Sequence, residues 1–459
     1  MPVFCAQLIS VLLLLGLCTA CRTSRYTGQP GSKPRVLVLT DMTSIRTGER
    51  EPDDAQSMIR LLLYSNDLDL EGFVASSNLG HGQQIRPELI HALIDTYSQV
   101  LPALRKHDSG YPAAEQLHAL VKSGQPIAAP NLPVEASVGE EKDTEASAWI
   151  IRRTDEADNR PLYVLVWGGT ADLAQALWRV RRDRTPEQVT TFCRRLRIHA
   201  IYDQDQTATW IKANFPDVWY VTRTAGIRGM YRGGDTSLVR SAWVRRHIHG
   251  HGVLGDSYPD YKGGDIWSRR LGGFTGTKEG DTPSMLAMLT NNGLDNPDRP
   301  ELGGWGGRSI PDSVPNRYVD AIDLPTNPDD PDPRMSSVYR WRPAFQADFQ
   351  ARLDWCILPP ESANHRPVSA QPAIRQIQAR PGQLLEIKPS RWRDPDRHSV
   401  ALRWEVYPPD PNVQFPAETG PILSVRAPQQ PGMYWLVEIA TDNGSPALTS
   451  YRRVALLVK

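Results

Sequence analysis

Cysteine, runs of basic charge and long apolar stretches are what this chain has least of, and each shortage closes off a class of protein. Only 5 cysteines occur in 459 residues. Cys5, Cys18 and Cys21 lie at the N-terminus, which leaves Cys193 and Cys356 for the body of the chain. A disulfide-stapled scaffold needs denser pairing than that, and no Cys/His set has the spacing of a zinc site. The contexts Thr191-Phe192-Cys193 and Asp354-Trp355-Cys356 leave open whether the two thiols pair. Net charge is missing too: 52 basic residues cancel 52 acidic ones. With no long basic run, the chain lacks the electrostatic footprint of a nucleic-acid binder. The apolar stretch at residues 8–17 is about as long as the core of an export signal and too short to span a bilayer.

Thr19 and Ala20 ahead of Cys21 resemble the lipobox of bacterial lipoproteins, which implies a lipid on Cys21 as the sole membrane contact. Residues 1–21 are thus expected to be a signal peptide and residues 22–34, polar and rich in Gly, Ser and Thr, a tether. The protein is expected at the cell surface, in the periplasm or secreted. Proline is plentiful, at 39 residues concentrated toward the C-terminal half, which predicts long ordered loops and short strands there. The 13 Trp suit carbohydrate stacking and core packing equally.

The chain is organised around residues 36–64. Val36-Leu37-Val38-Leu39 is β-branched and apolar without polar alternation, as in a strand buried on both faces of a parallel sheet. It ends at Asp41. Beyond a polar loop, Pro52-Asp53-Asp54 opens a helix whose apolar residues Ala55, Met58, Ile59 and Leu62 recur every three or four positions. Ligands of open α/β sheets bind at the carboxyl ends of the strands, so Asp41, Asp53 and Asp54 should converge there. Crowded carboxylates raise one another's pKa unless a cation neutralises them, and all-oxygen ligation suits a hard ion such as calcium. The alternative is that Asp53 and Asp54 only complement the helix dipole.

Further strands are expected at residues 70–78, this one ending in small polar residues, 162–167, 196–201 and 219–222, with helices over 86–100, 114–121, 146–153, 209–214, 238–247 and 344–355. His247, His249 and His251 alternate, which fits a gating loop better than a metal site. Asp281-Thr282-Pro283 reads as a helix start, with Asp281 as its cap. The glycines around Trp305 suit a loop that lets the ring close over a ligand or a plain surface turn. Residues 359–372 form a linker. Residues 373–459 then switch to short alternating runs of a β-sandwich. The expected fold is an open, mostly parallel α/β sheet over residues 35–358, followed by a small all-β sandwich as a separable accessory domain.

The segment from Thr40 to Asn66, with Thr40-Asp41, Glu51-Pro52-Asp53-Asp54, Ser57 and Arg60-Leu61-Leu62-Leu63-Tyr64-Ser65-Asn66, resembles the nucleoside-hydrolase-like domain of secreted bacterial proteins described as cellulose-binding. The resemblance implies a sheet of nucleoside hydrolase type, with Asp41 holding the metal and activating its water, Asp54 a metal ligand and Asp53 on a sugar hydroxyl. It further implies calcium ligation by the main-chain carbonyl of Trp167, with Asp281 closing the metal site. Asn78, Gln204 and Asp205 come to the sugar by topology. Ordinary nucleoside hydrolases have three residues between the first Asp and the pair; here residues 42–52 intervene. The residue ahead of Asp281 is Gly280, where the family carries a His that protonates the leaving base; Glu279, Asp205 or a histidine of residues 247–251 could replace it. Two functions follow: a calcium-dependent hydrolase of N-glycosidic, ribosyl-type bonds, or a cellulose- or polysaccharide-binding protein on the same scaffold. The C-terminal pattern is similar to immunoglobulin-like modules.

Overall fold

The structure is a computed structural model that describes residues 33–45, 52–77, 84–127, 132–263, 274–323, 326–415 and 421–459. The expected signal peptide at residues 1–21, the expected tether at residues 22–34 up to residue 32, and Asn78 lie outside them. No helix among the described residues is long and apolar enough to cross a membrane.

Eight strands form the main sheet: β1 (Arg35–Thr40), β2 (Asp69–Ala75), β3 (Val121–Ser123), β4 (Leu162–Val166), β5 (Leu196–Ile201), β6 (Trp219–Arg223), β7 (Ser309–Pro311) and β8 (Arg317–Asp320). Their order is β3-β2-β1-β4-β5-β6-β8-β7, with every pair parallel except β7 against β8. Strand order therefore reverses between β1 and β4, the point at which doubly wound sheets open a crevice. The lack of polar alternation in β1 has its cause here. Val36 and Val38 enter the core on one face of the sheet, Leu37 and Leu39 that on the other, and β4 divides Tyr163 and Leu165 from Leu162, Val164 and Val166 in the same way.

Helices follow the sequence pattern with small shifts: Pro87–His107, Glu145–Asp155 and Arg342–Asp354 replace the expected 86–100, 146–153 and 344–355. The expected helix at 114–121 stops at Ala119 and hands over to β3, a three-residue edge strand too short to leave a period in the sequence. Cys193 and Cys356 are free and buried, in the cores on opposite faces of the sheet, so they do not pair.

The C-terminal region contains β9 (Ile374–Ala379), β10 (Leu384–Ile387), β11 (Val400–Val406), β12 (Leu423–Arg426), β13 (Gly432–Asp442) and β14 (Thr449–Val458). A four-stranded sheet, β11-β13-β14-β9, faces the pair β10-β12 across a core of Ile387, Trp404, Leu423, Val425, Leu436, Val454 and Leu456. Along β13 and β14 its other face is buried as well. Tyr407, Val437, Ile439 and Tyr451 join the core of the α/β part, and residues Lys33–Lys459 form one unit. Arg453 seals the junction: its guanidinium donates to the carbonyls of Leu294 (2.9 Å), Tyr407 (3.1 Å), Leu302 (2.9 Å) and Gly303 (2.7 Å). Burial lowers its pKa to about 10, against the opposing charge of Asp295, and four convergent carbonyl dipoles hold the cation in place.

Proteolysis within residues 359–372 should therefore nick the chain without separating its parts, and the fragments should co-elute in gel filtration. Arg453→Met should lower the unfolding free energy by about 3 kcal/mol, because several buried acceptors lose their donor together. Free release of a folded β module from the nicked wild type would contradict this packing.

Candidate functional site

The helix Asp53–Leu63 starts where β1 ends, and its first turn carries Asp53 and Asp54 with no side chain capping it. Asp54 instead accepts from the hydroxyl of Thr40, the last residue of β1. Three or four positions on, the same helical face presents Gln56, Ser57 and Arg60 to residues 276–282. Gln56 Oε1 accepts from the amides of Lys278 (2.7 Å) and Glu279 (3.0 Å), and its Nε2 donates to the carbonyl of Gly276 (3.1 Å). The hydroxyls of Thr282 and Ser57 lie 3.0 Å apart, and Arg60 pairs with Glu279 at 2.6 Å. One helix face thus clamps the distant segment that carries Asp281.

The result is a buried acidic group. One ligand atom each from Asp53, Asp54 and Asp281 lies within 4.8 Å of the other two. Asp281 does not cap the short helix Thr282–Leu286; it is 3% exposed and its Oδ2 has no hydrogen-bond partner. Burial, then the charges of Asp54, Asp53 and Asp41, push its pKa well above the usual carboxylate range. The opposing charge is Lys278, 4% exposed, whose Nζ is 3.3 Å from Asp53 Oδ2. A crowded carboxylate set with an unsatisfied oxygen fits a hard divalent cation, since oxygen donors of net negative charge are what such an ion selects.

Of the four carboxylates expected to converge, Asp53, Asp54 and Asp281 form the trio, and Asp41 adds its charge from beside it. Asp41 is wedged against the turn after β4: a Cβ on Gly168 would lie 2.7 Å from Asp41 Cβ, so glycine is required for β1 and β4 to end this close together. The Trp167 carbonyl already accepts from Gln204 Nε2, and the Trp167 indole donates to Ser284 Oγ at 2.9 Å. Asp205 caps the helix Gln206–Asn214 by accepting from the Thr207 amide at 2.9 Å, and it also accepts from Thr170. Gln204 and Asp205 therefore brace the loops around the crevice.

Trp305 is corrected outright. It is fully buried, and its indole donates to the Tyr451 hydroxyl at 3.1 Å, at the junction with the C-terminal sheet. Glu279 is spent on Arg60 and on the Tyr258 hydroxyl. His249 bonds the Tyr258 carbonyl, His251 pairs with Asp354 at 3.0 Å, and His247 packs on Trp243. None of the expected replacements for the family His thus lies with the trio. Lys278 went unnoticed in the sequence, since only the fold reveals it as a buried cation. Ser76 and Ser77 at the end of β2, whose buried hydroxyls have no partner, were legible as small polar residues closing a strand.

Strand order, crevice and acidic trio define a protein of nucleoside-hydrolase-like class. The chain belongs to the family described as "Cellulose-binding Sde182, nucleoside hydrolase-like domain", which matches residues 35–309. Among solved structures it is similar to a nucleoside hydrolase-related hypothetical protein from Saccharophagus degradans, titled as associated with carbohydrate metabolism. Identity is 29% and the TM-score 0.76, over 93% of this chain and all of that one. No curated protein matches it.

Because the folded chain holds a proton on Asp281 to higher pH than the unfolded chain does, stability without a divalent ion should fall as pH rises from about 4 through the raised value. Urea unfolding in EDTA should show this loss in wild type and a shallower one in Asp281→Asn, which should also be the more stable near pH 7. Equal slopes would show that like-charge crowding is absent.

Proposed function

We propose that this protein is an exported carbohydrate-binding hydrolase that cleaves an N-glycosidic, ribosyl-type bond at the crevice between β1 and β4. The observation that carries the reading is the unpartnered, buried Oδ2 of Asp281 among Asp53 and Asp54. Such a group is costly to fold unless a cation or a polyhydroxylated ligand satisfies it. Asp53, Asp54 and Asp281 would hold a calcium-type ion, with Asp41 and the Trp167 carbonyl beside them. Calcium, when bound, supplies a positive field that anchors sugar hydroxyls and acidifies an adjacent water.

The chain's own residues do the rest. Asp41, at the carboxyl end of β1, accepts the proton of the attacking water. Asp53 accepts from a sugar hydroxyl while Lys278 fixes its orientation, and the negative field of the carboxylates stabilises the oxocarbenium-like transition state. Gly280 leaves room at the leaving-group side: a Cβ there would start 3.2 Å from Asp53 Oδ2. Among the described residues no imidazole lies with the trio, so activated leaving groups are preferred. The second reading is a cellulose- or polysaccharide-binding protein without turnover. It is favoured by Lys278, whose ammonium already neutralises part of the acidic set, and by the family's cellulose-binding description.

With calcium present, wild type should hydrolyse a nitrophenyl riboside faster than a purine or pyrimidine nucleoside. Asp41→Asn should lower that turnover by roughly 10² to 10⁴, the contribution of a general base, while sugar binding persists. A wild-type rate no higher than the mutant's would leave the binding reading standing.

A further inference from the structure

A second set of metal-ligating side chains lies on the loop between β10 and β11, in Asp394-Pro395-Asp396-Arg397-His398. One ligand atom each from Asp394, Asp396 and His398 lies within 4.8 Å of the other two. The loop folds over its own first carboxylate: Asp394 Oδ1 accepts from the amides of Asp396 and His398, both at 2.9 Å, and Arg397 turns the chain at a φ of +66°. That leaves Asp394 Oδ2 without a partner, on a side chain only 1% exposed. A buried anionic oxygen with no donor is unsatisfied charge at the centre of a potential ligand set.

The groups around it are held from outside. His398 Nδ1 is 3.0 Å from Asn364 Oδ1 and 3.7 Å from Asp394 Oδ1. Asn364 is fixed in turn, its Nδ2 donating to Asp442 Oδ1 (3.0 Å) and to the Pro446 carbonyl (2.7 Å). Asp396 accepts from the His365 amide at 2.6 Å and lies 3.0 Å from His365 Nδ1. Outer hydrogen bonds of this kind orient the ligands of metal centres. His398 is 36% exposed, which gives an ion a route in.

We propose that Asp394, Asp396 and His398 form a second cation site, separate from the strand-end carboxylates, that takes a divalent transition metal such as zinc. An imidazole among two carboxylates favours such an ion over calcium, which selects oxygen alone. Bound there, the ion pins the β10–β11 loop to residues 364–365. Through His365 Nε2, 3.0 Å from His107 Nδ1, it also pins the loop to the helix Pro87–His107.

The test is calorimetric titration of zinc, and separately of calcium, into the full chain stripped with EDTA, as wild type, Asp281→Asn, Asp394→Asn and His398→Gln. Asparagine at 394 keeps the Oδ1 acceptor that closes the loop, and melting in EDTA checks that each variant folds. Asp281→Asn should retain one zinc equivalent that Asp394→Asn and His398→Gln lose or bind at least tenfold more weakly. Zinc should raise the Tm of wild type and not that of Asp394→Asn. Zinc bound equally tightly by His398→Gln, or no equivalent that depends on Asp394, overturns the site; tighter calcium than zinc at the Asp394-dependent site overturns the role of the imidazole. Since Asp281→Asn leaves this loop untouched, failure here and failure of the strand-end site are read separately.

Discussion

Asp281 is held out of water beside Asp54, Asp53 and Asp41, and much of the surrounding architecture exists to keep it there. Like charges at this distance separate unless something stronger than their repulsion fixes the backbone. The helix Asp53–Leu63 supplies that restraint through Gln56, Ser57 and the buried Arg60–Glu279 pair. The guanidinium of Arg60 also lies 3.7 Å above the Phe349 ring. Removing either partner of a buried pair strands the other charge, so this clamp and the acidic trio stand or fall together. Stability is given up at the crevice and recovered one helical turn away, a common arrangement for a site that must bind a cation or polar ligand.

The same clamp fixes residues 278–280 at the rim of the acidic trio. Glu279 is locked inward by Arg60 and Tyr258, Gly280 adds no side chain, and Lys278 turns its ammonium onto Asp53. The cation of this segment is thus Lys278, set on Asp53. That charge counteracts the carboxylates that would stabilise an oxocarbenium ion, yet it also screens their mutual repulsion. The two effects oppose each other at the same carboxylates.

The C-terminal strands change meaning once both faces are followed. In β13, Leu436 points into the small sandwich core while Val437 and Ile439 enter the larger core of the α/β part. Trp305 and Trp341 meet Tyr451 edge-on at this junction, with ring centroids 6.2 and 5.6 Å apart. Those two tryptophans serve cohesion between layers and present no face to a polysaccharide. Arg453, held by backbone carbonyls, fixes the register of the contact.

The sequence by itself determined the elements and the chemical character of the site. Apolar runs without alternation mark β1, β4 and β5 because a strand covered on both faces has no polar side to show. The three- and four-residue spacing after Asp53 marks its helix, and the small polar residues after each run mark the crevice. Asp53, Asp54 and Asp281 were legible because an acid at a strand end or helix start leaves a local trace. Only tertiary structure decided what depends on residues distant in the chain. Lys278 becomes an opposing charge only when folded onto Asp53, 225 positions away (278 − 53). Trp305 becomes a core residue only when Tyr451 arrives, and Gln204 and Asp205 become braces only when the turn after β4 meets them. Local pattern records which face of an element is apolar; it carries no record of what will cover that face, because the covering group comes from another part of the chain.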